Sequence, residues 1–147
     1  MVTTAGGCNS SNRVKEVEVH PQPLSKFTFT DTACLPHALI DFQATSTIAD
    51  GTQNTFRYAW NFGDPGSGAL NTSLAINPSH IYNTVGPYPV TLRTTSGVGC
   101  FDDTVINVNT IHPQPHADFS FNKPSVCIGD NVVMLDQSDP KDGSLYQ

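Results

Sequence analysis

The feature that most constrains this chain is an internal repeat with a fixed offset. Residues 3–8 (Thr-Thr-Ala-Gly-Gly-Cys) return at 95–100 as Thr-Ser-Gly-Val-Gly-Cys, and the run His-Pro-Gln-Pro occurs unchanged at 20–23 and 112–115. Both matches give the same separation, 100 − 8 = 92 and 112 − 20 = 92. Self-similarity at one period is the signature of a tandem array. We therefore expect each residue to serve a repeated module.

Two further landmarks keep this frame. Residues 27–29 match 119–121 at the same offset, and Cys34 matches Cys127 after a one-residue slip. A repeat of this length is the size of a small all-β domain. The frame predicts the end of a preceding repeat, one complete repeat and the N-terminal part of a following repeat, at residues 1–23, 24–115 and 116–147.

Composition excludes several classes of function. Charged residues make up 14% of the chain, against roughly 25% in an average soluble domain. The net charge of −6 and seven scattered Lys and Arg residues argue against nucleic-acid binding. No run approaches the ~20 apolar residues of a membrane span. Because the first residues carry neither a basic cluster nor an apolar block, we expect any export signal to lie outside this window or to have been removed.

Alternation of polar and apolar residues dominates the chain, and no stretch shows a sustained helical period. In the run 56–62, for example, the aromatic residues all fall on one side. Gly, Asp and Pro clusters separate such runs at short intervals, which predicts an antiparallel β-sandwich of about seven strands. The two prolines in each His-Pro-Gln-Pro predict a short, stiff, extended joint between repeats. The clearest strands are predicted at 27–30, 39–44, 56–62, 88–94 and 104–108.

Three ordered motifs lie in the central repeat: Tyr-Ala-Trp-Asn-Phe-Gly-Asp at 58–64, Asn-Pro-Ser-His-Ile-Tyr at 77–82 and Gly-Pro-Tyr-Pro-Val-Thr-Leu at 86–92. Together they resemble the polycystic kidney disease (PKD) domain, and the resemblance covers the whole repeat. It implies an Ig-like β-sandwich in a secreted or cell-surface protein, used as a spacer, adhesive or assembly module.

The motif residues are interpreted as structural. We expect Trp60 to be the buried plug of a central strand, Asp64 to accept backbone N–H bonds in a turn, Tyr82 to bond nearby backbone, and Gly86 to supply a backbone angle. The predicted structural set is Trp60, Phe62, Gly63, Asp64, His80, Tyr82, Gly86, Tyr88, Val90 and Leu92.

The repeat departs from the family pattern at three places. Asn61 stands where the family usually has Asp, and residues 65–70 lengthen the turn that follows. Pro89 cannot donate a ladder hydrogen bond, so it is expected at an edge or at a non-bonded position. None of these changes alters the predicted fold.

No catalytic or metal-binding pattern is present in the sequence. The histidines fall at joints and loops or inside the fold motif, and no nucleophile shares a recognisable spacing with them. We therefore predict no enzymatic activity, no catalytic residues and no cofactor. Because some PKD-like domains bind Ca²⁺, a weak Ca²⁺ site is kept as the alternative.

Two cysteines per repeat in a secreted-looking chain predict disulfides. Cys34 and Cys127 fall in the loop after the first strand, whereas Cys8 and Cys100 follow the last hairpin turn. In an Ig-like topology these loops lie at opposite poles, roughly 25 Å apart along a strand. We hypothesise bridges between neighbouring modules, with a Cys34–Cys100 bridge inside one repeat as the alternative.

Four positions are candidates for glycosylation. Asn9 and Asn71 begin Asn-x-Ser/Thr sequons. Thr32 and Thr104 lie in Asp-Thr-Ala and Asp-Thr-Val, which resemble a short O-glycosylation signature of some exported bacterial proteins.

The sequence thus predicts a non-catalytic extracellular module in a tandem array that forms a stalk or fibre. Its expected partners are neighbouring copies of the repeat, and the end pieces could also pair with another chain by strand addition. One alternative is a module that binds carbohydrate or protein through loop aromatics such as Phe101 and Tyr146. The other is an accessory domain of a secreted hydrolase.

Overall fold

A computed structural model describes residues 4–141, except 9 and 12, and folds almost entirely into strands. Short 3-10 turns occur at Gln53–Thr55 and within Pro65–Asn71. No helix in this part of the chain is long or apolar enough to span a bilayer. The strands are β1 Phe27–Phe29, β2 Ala33–Cys34, β3 Ala38–Ala44, β4 Arg57–Asn61, β5 Thr72–Ser73, β6 Ser79–Tyr82, β7 Tyr88–Thr95, β8 Phe101–Val108, β9 Ile111–His112, β10 Phe119–Phe121 and β11 Met134–Asp136.

Seven of these strands form two antiparallel sheets. One sheet has the order β1-β3-β6, and the other has the order β5-β4-β7-β8. The short strands β2 and β9 pair in parallel, so that the end of the domain lies beside its first loop. The predicted all-β, Ig-like sandwich of about seven strands is confirmed, and residues 24–115 are called the central sandwich below.

The core follows from the two-residue period. In β7, buried Tyr88, Val90, Leu92 and Thr94 alternate with residues that face outward. Trp60 is 2% exposed, and its ring lies edge-on to Phe27 with a centroid distance of 5.1 Å. The remaining core residues are Ala38, Ile40, Phe42, Phe62, Tyr82, Val108 and Ile111.

Strand β8 is longer than the sequence predicted. Its register runs from Phe101 opposite Thr95 to Val108 opposite Tyr88. The adjacent carboxylates Asp102 and Asp103, which precede the predicted strand 104–108, are therefore inside the observed strand. A cross-strand contact explains the extension, because the Asp103 carboxylate opposes an arginine on β7.

The sandwich has two poles. The upper pole carries the β7–β8 turn (Ser96–Cys100) together with Ser25, whose hydroxyl donates to the Leu92 carbonyl. The lower pole carries Cys34, which is the register partner of His112. Because β8 runs from one pole to the other over eight residues, the poles are about 26 Å apart.

The two end pieces repeat contacts of the central sandwich. In the hairpin β10–β11, Phe119 pairs with Asp136, as Phe27 pairs with Ala44. Each member of the first pair lies 92 positions beyond its counterpart (119 − 27 = 92 and 136 − 44 = 92). The bridge between His116 and Asp139 likewise matches that between Leu24 and Thr47.

The N-terminal turn obeys the same offset. Thr4 N–H donates to the Cys8 carbonyl at 3.0 Å, and Ser96 N–H donates to the Cys100 carbonyl at 2.8 Å. Both turns place a glycine with positive φ just before the cysteine. The Gly-Cys segments at the two sites therefore have the same local conformation.

Candidate functional site

Two polar residues of the motif region, His80 and Asp64, form a pair at the edge of the aromatic core. Strand β6 carries His80 into the core, where its ring stacks on Phe62 at 4.5 Å and meets Tyr82 edge-on at 4.6 Å. The His80 Nε2 atom lies 3.1 Å from Oδ2 of Asp64, which follows β4. Both side chains are largely shielded, with 4% and 17% of their surface exposed. The pair therefore ties the two sheets together inside the sandwich.

The role of Asp64 differs from the expected one. Its carboxylate faces His80, while the turn N–H groups find amide partners instead. Asn61 accepts the Gly63 N–H at 2.9 Å through Oδ1, and Asn71 accepts the Asp64 N–H at 2.7 Å. Asn61, the departure from the family pattern, thus supplies the turn acceptor that we had assigned to Asp64. Sequence reasoning missed this because the His80 contact depends on how the two sheets pack.

Tyr82 holds the opposite side of the same cluster. Its hydroxyl donates to the Phe62 carbonyl at 2.9 Å, and its side chain is completely buried. This is the expected bond to backbone, but its acceptor lies 20 residues earlier and in the other sheet. Burial raises the pKa of the Tyr82 phenol well above its usual range, and the nearby Asp64 charge adds to the shift.

Two glycines of the motif are required for different reasons. Gly63 has φ +70°, and a Cβ there would lie 2.8 Å from the Pro89 carbonyl oxygen. Gly86 was expected to supply a special backbone angle, and that reason is wrong because its φ is not positive. A Cβ on Gly86 would instead lie 2.7 Å from the Val108 carbonyl oxygen, so space is what demands glycine. The pairing of β7 with β4 ends at Thr91. Pro89 precedes Thr91 on β7 and therefore has no register partner on β4.

A family model for the PKD domain matches residues 20–111, which is more than half of the chain. The chain belongs to the PKD domain family. The resemblance carried by the three motifs is thereby confirmed, and the buried cluster of Trp60, Phe62, His80 and Tyr82 is the interior of a PKD domain.

Two solved PKD domains align with this chain. The PKD1 domain of Vibrio anguillarum Epp aligns with 63% of this chain and 98% of its own, at 22% identity and a TM-score of 0.50. The PKD1 domain of the Vibrio cholerae metalloprotease PrtV aligns with 63% of this chain and all of its own, at 27% identity and a TM-score of 0.44.

A third structure is described by its solvers as carbohydrate-binding modules from the β-sandwich superfamily. It aligns with 76% of this chain but only 43% of its own length, at 24% identity and a TM-score of 0.54. No curated protein matches the chain. The likenesses to the Epp domain and to the carbohydrate-binding modules, with TM-scores of 0.50 and 0.54, show the sandwich fold and nothing finer.

The structure describes one of the two aromatic residues that the sequence suggested for ligand binding. Phe101, predicted to be a loop aromatic, lies on β8 and is 49% exposed. The Arg93 guanidinium covers its ring at 4.4 Å and donates two hydrogen bonds to Asp103, at 2.8 and 2.7 Å. These bonds lower the pKa of the Asp103 carboxyl. Tyr146 lies outside the described residues.

Cation-binding groups are dispersed in the described part of the chain, where no three His, Cys, Asp or Glu side chains lie close enough together to hold a metal ion. The Asp64 carboxylate, the acidic group nearest the motif cluster, is committed to His80. A weak Ca²⁺ site remains an untested alternative.

The candidate glycosylation sites differ in accessibility. Thr32 is exposed in the loop before β2, whereas the Thr104 hydroxyl donates to the Ser25 carbonyl. The Asn71 amide uses both of its ends within the turn after β4. Asn9 lies outside the described residues. Glycosylation stays a prediction at all four positions.

The four cysteines are all reduced in the structure. Cys34 is exposed at the lower pole, and Cys100 is half-buried at the upper pole. Strand β8 separates them by about 26 Å, whereas a disulfide needs Cα atoms about 6 Å apart. This separation favours bridges between domains over a Cys34–Cys100 bridge within one domain, and both pairings stay predictions. Cys8 and Cys127 are exposed in the end pieces.

The linker that precedes the domain is bound to it. The Gln22 side-chain amide donates to the Phe101 carbonyl at 2.9 Å, and the Ser25 N–H donates to the Asp102 carboxylate at 2.8 Å. Pro23, between them, is buried. The linker residues that sequence reasoning treated as a simple joint are thus part of the upper pole.

Proposed function

We propose that this chain is a segment of a tandem array of PKD domains that forms an extracellular stalk or fibre and has no catalytic role. In this proposal the functional partners of each domain are the neighbouring copies. The observation that carries the proposal is the recurrence of hydrogen-bond patterns at one offset on both sides of the central sandwich. It concerns backbone pairing as well as sequence letters, and chance similarity of short motifs does not produce matching registers.

The N-terminal piece supports this interpretation through its turn. Residues 4–8 repeat the hydrogen bonds of residues 96–100, which close the last hairpin of a complete PKD domain. Val14, Val17 and Val19 follow this turn and are each more than 80% exposed. The counterpart of Val19 at the second joint is Ile111 (111 − 19 = 92), which is 2% exposed because it belongs to the hydrophobic core. The piece thus carries a last-strand sequence with its apolar side chains uncovered.

The C-terminal piece supports it through its hairpin. Phe119 and Phe121 are 58% and 53% exposed, whereas Phe27 at the equivalent position of the central sandwich is 5% exposed. Strand β4, with Trp60, is what covers Phe27 in the complete domain. We propose that the second sheet of a following PKD domain covers β10–β11 in the same way.

A rod-like array is favoured over a flexible one because the linker is short and held at both ends. Pro23 is buried against the domain that follows it, and Leu35 N–H donates to the carbonyl of His112 at the start of the next linker. Two prolines per linker add backbone stiffness. The sequence composition and the family fit a secreted or surface-exposed protein, and this localisation belongs to the proposal.

We extend the proposal to the cysteines, which would bridge neighbouring domains rather than close a loop within one. The proposed function also includes no enzymatic activity. The His80–Asp64 pair is buried, and the His80 ring is packed against Phe62 and Tyr82.

Strand addition from another chain is the second hypothesis for the end pieces. Neither end piece contains an equivalent of Trp60, the residue that covers Phe27 in the central sandwich, so pairing of the end pieces alone would leave the core incomplete. Light scattering after size exclusion is therefore expected to show a monomer for the 147-residue chain; a stable dimer or polymer would favour strand addition.

A ligand-binding role remains the alternative function. Its support is the exposed Phe101 edge beside Arg93 and the fold shared with carbohydrate-binding modules. Isothermal titration with oligosaccharides is expected to give no heat in the array model. A role as accessory domain of a secreted hydrolase would require a catalytic domain in the same protein.

The array is tested by X-ray scattering on the full-length protein in the presence of reductant. If PKD domains continue in a rod, the maximum dimension grows with each domain by at least the pole-to-pole length, about 26 Å. The sequence on both sides of this segment should show further repeats at the same period. A hydrolase domain joined directly to this segment, or a compact scattering profile, would contradict the proposal.

A further inference from the structure

We propose that Cys34 forms a disulfide with the Gly-Cys cysteine of the PKD domain that follows it. By the same geometry, Cys100 pairs with the first-loop cysteine of the domain that precedes it. This inference rests on the proposed array and assigns each thiol a partner across a joint. The structure contains both halves of a joint, one on each side of the central sandwich.

The lower half of a joint is seen between the central sandwich and residue 112. Ala33 N–H donates to the Thr110 carbonyl at 3.2 Å, and Leu35 N–H donates to the His112 carbonyl at 2.9 Å. Cys34 lies between these two bonds and is the register partner of His112. The backbone of Cys34, whose side chain is exposed, is therefore held about one strand spacing, ~4.8 Å, from the first residue of the linker.

The upper half of a joint is seen between residue 20 and the central sandwich. The Gln22 side chain donates to the carbonyl of Phe101, the residue that directly follows Cys100. Pro23 is buried here, whereas the equivalent Pro115 is exposed. The linker thus packs on whichever domain follows it, and in doing so its third residue reaches the Gly-Cys turn.

The two halves share the linker sequence His-Pro-Gln-Pro, so they can be joined on it. In the joined form, the linker begins at a His that lies beside the first-loop cysteine of one domain. Its Gln is hydrogen-bonded to the residue that follows the Gly-Cys cysteine of the next domain. These two linker residues are at most about 7 Å apart along the chain. Both cysteines are therefore tied to the same four-residue linker across a joint, whereas Cys34 and Cys100 within one domain are about 26 Å apart.

The upper pole also has room for the first loop of a neighbour. A cavity of about 410 Å³ opens beside the linker and is lined by His20, Ile48 and Asp50 and by Ser96–Val98 of the Gly-Cys turn. We assign this cavity to the segment that follows the first-loop cysteine of the neighbouring domain. The equivalent segment of this domain is Leu35-Pro36-His37. Seating that loop beside Ser96–Val98 places its cysteine next to the turn that ends in Cys100.

Formation of each bridge is an oxidation. One S–S bond forms as two S–H bonds break, and two electrons and two protons pass to an oxidised dithiol–disulfide exchange protein of the extracytoplasmic space, which is reduced to its dithiol. Both thiols are reachable by such a reagent, because Cys34 is exposed and Cys100 is only half-buried. Oxidising compartments outside the cytoplasm favour the product.

The test is disulfide mapping of the full-length protein, isolated with a thiol-blocking reagent and never reduced. Trypsin with a protease that cuts before Asp releases the cysteines in separate peptides, 31–40 for Cys34, 94–101 for Cys100 and 118–129 for Cys127. We expect peptide 31–40 to be linked to a Gly-Cys peptide from the following repeat, and 94–101 to a first-loop peptide from the preceding one. Non-reducing electrophoresis should show a monomer, which places both links inside one chain.

A matched pair of variants sharpens the mapping. In Cys34→Ser the Gly-Cys peptide of the following repeat should become free, while 94–101 keeps its link; in Cys100→Ser the pattern should be reversed. A direct link between 31–40 and 94–101, or blocked free thiols at both sites, would overturn the inference. Free thiols would refute the disulfides but not the array, because X-ray scattering in reductant tests the array separately. The absence of flanking repeats would refute the array itself.

Discussion

Replacing Tyr82 by phenylalanine removes a single oxygen atom from the middle of the sandwich. That hydroxyl donates to the Phe62 carbonyl, and the Tyr82 side chain has no exposed surface. The variant therefore leaves a buried carbonyl without its donor and creates no large cavity. A buried polar group that loses its partner costs about 1–3 kcal/mol. We expect the free energy of unfolding at neutral pH to fall by this amount.

The chain carries its own probe for this measurement. Trp60 is the only tryptophan and is 2% exposed, so its fluorescence reports on unfolding of the central sandwich. With an m-value of about 2 kcal/mol/M in urea, a loss of about 2 kcal/mol lowers the midpoint by about 1 M. Tyr88→Phe is the matched control. Because the Tyr88 hydroxyl bonds only within its own loop, to Thr84, it should cost less.

The difference between wild type and Tyr82→Phe should also depend on pH. The pKa of Tyr82 is raised in the folded protein, so its contribution is complete below the ordinary tyrosine pKa of about 10. Above that pH the unfolded chain loses the phenol proton first, and wild-type stability falls by up to about 1.4 kcal/mol per pH unit. The variant lacks this slope, so the gap should narrow in alkaline solution. A gap that stays constant or widens above pH 10 would refute the reasoning.

Three other changes test separate parts of the structure by the same urea titration. Gly63→Ala should cost more than Gly51→Ala, for which positive φ alone predicts about 1–2 kcal/mol, because only the first Cβ would collide with β7 backbone. Thr94→Val should cost about 1–3 kcal/mol, since two buried serine hydroxyls lose a hydrogen-bond partner; an unchanged midpoint would contradict this. Arg93→Ala should weaken the fold slightly at low salt and not at 1 M salt, because its ion pair with Asp103 is exposed and screened. A loss of stability that persists at 1 M salt would show instead that Arg93 acts by packing on the Phe101 ring.

The strands were predictable because each sheet buries one face. Phe27, Ile40 and Val90 belong to three different strands. Each of them is buried and lies on the face of its strand that carries every second residue. A two-residue period carries that information without knowledge of the partner strand. The start of β8 was missed because Asp102 and Asp103 interrupt the pattern, and only the cross-strand arginine shows why a carboxylate belongs there.

The partners within the motif cluster were not predictable in the same way. The contact of Asp64 with His80 joins residues from two sheets, and its geometry depends on how those sheets face each other. The need for Gly86 arises from the approach of Val108, which lies 22 positions later in the sequence (108 − 86 = 22). Local turn chemistry suggested a backbone angle, whereas the tertiary approach supplies a different reason. Such long-range contacts leave no signature in a single sequence.

The attachment of the linker has a mechanical consequence. The chain enters the sandwich at Gln22–Ser25, beside the start of β8, and leaves at Ile111–His112, beside β2. Tension on the two ends would pull the entry segment along β8 and the exit segment along β2, each parallel to its own length. Their bonds would be loaded together rather than one after another, so that a pulled domain resists as a unit and its rate of forced unfolding is set by all of them at once.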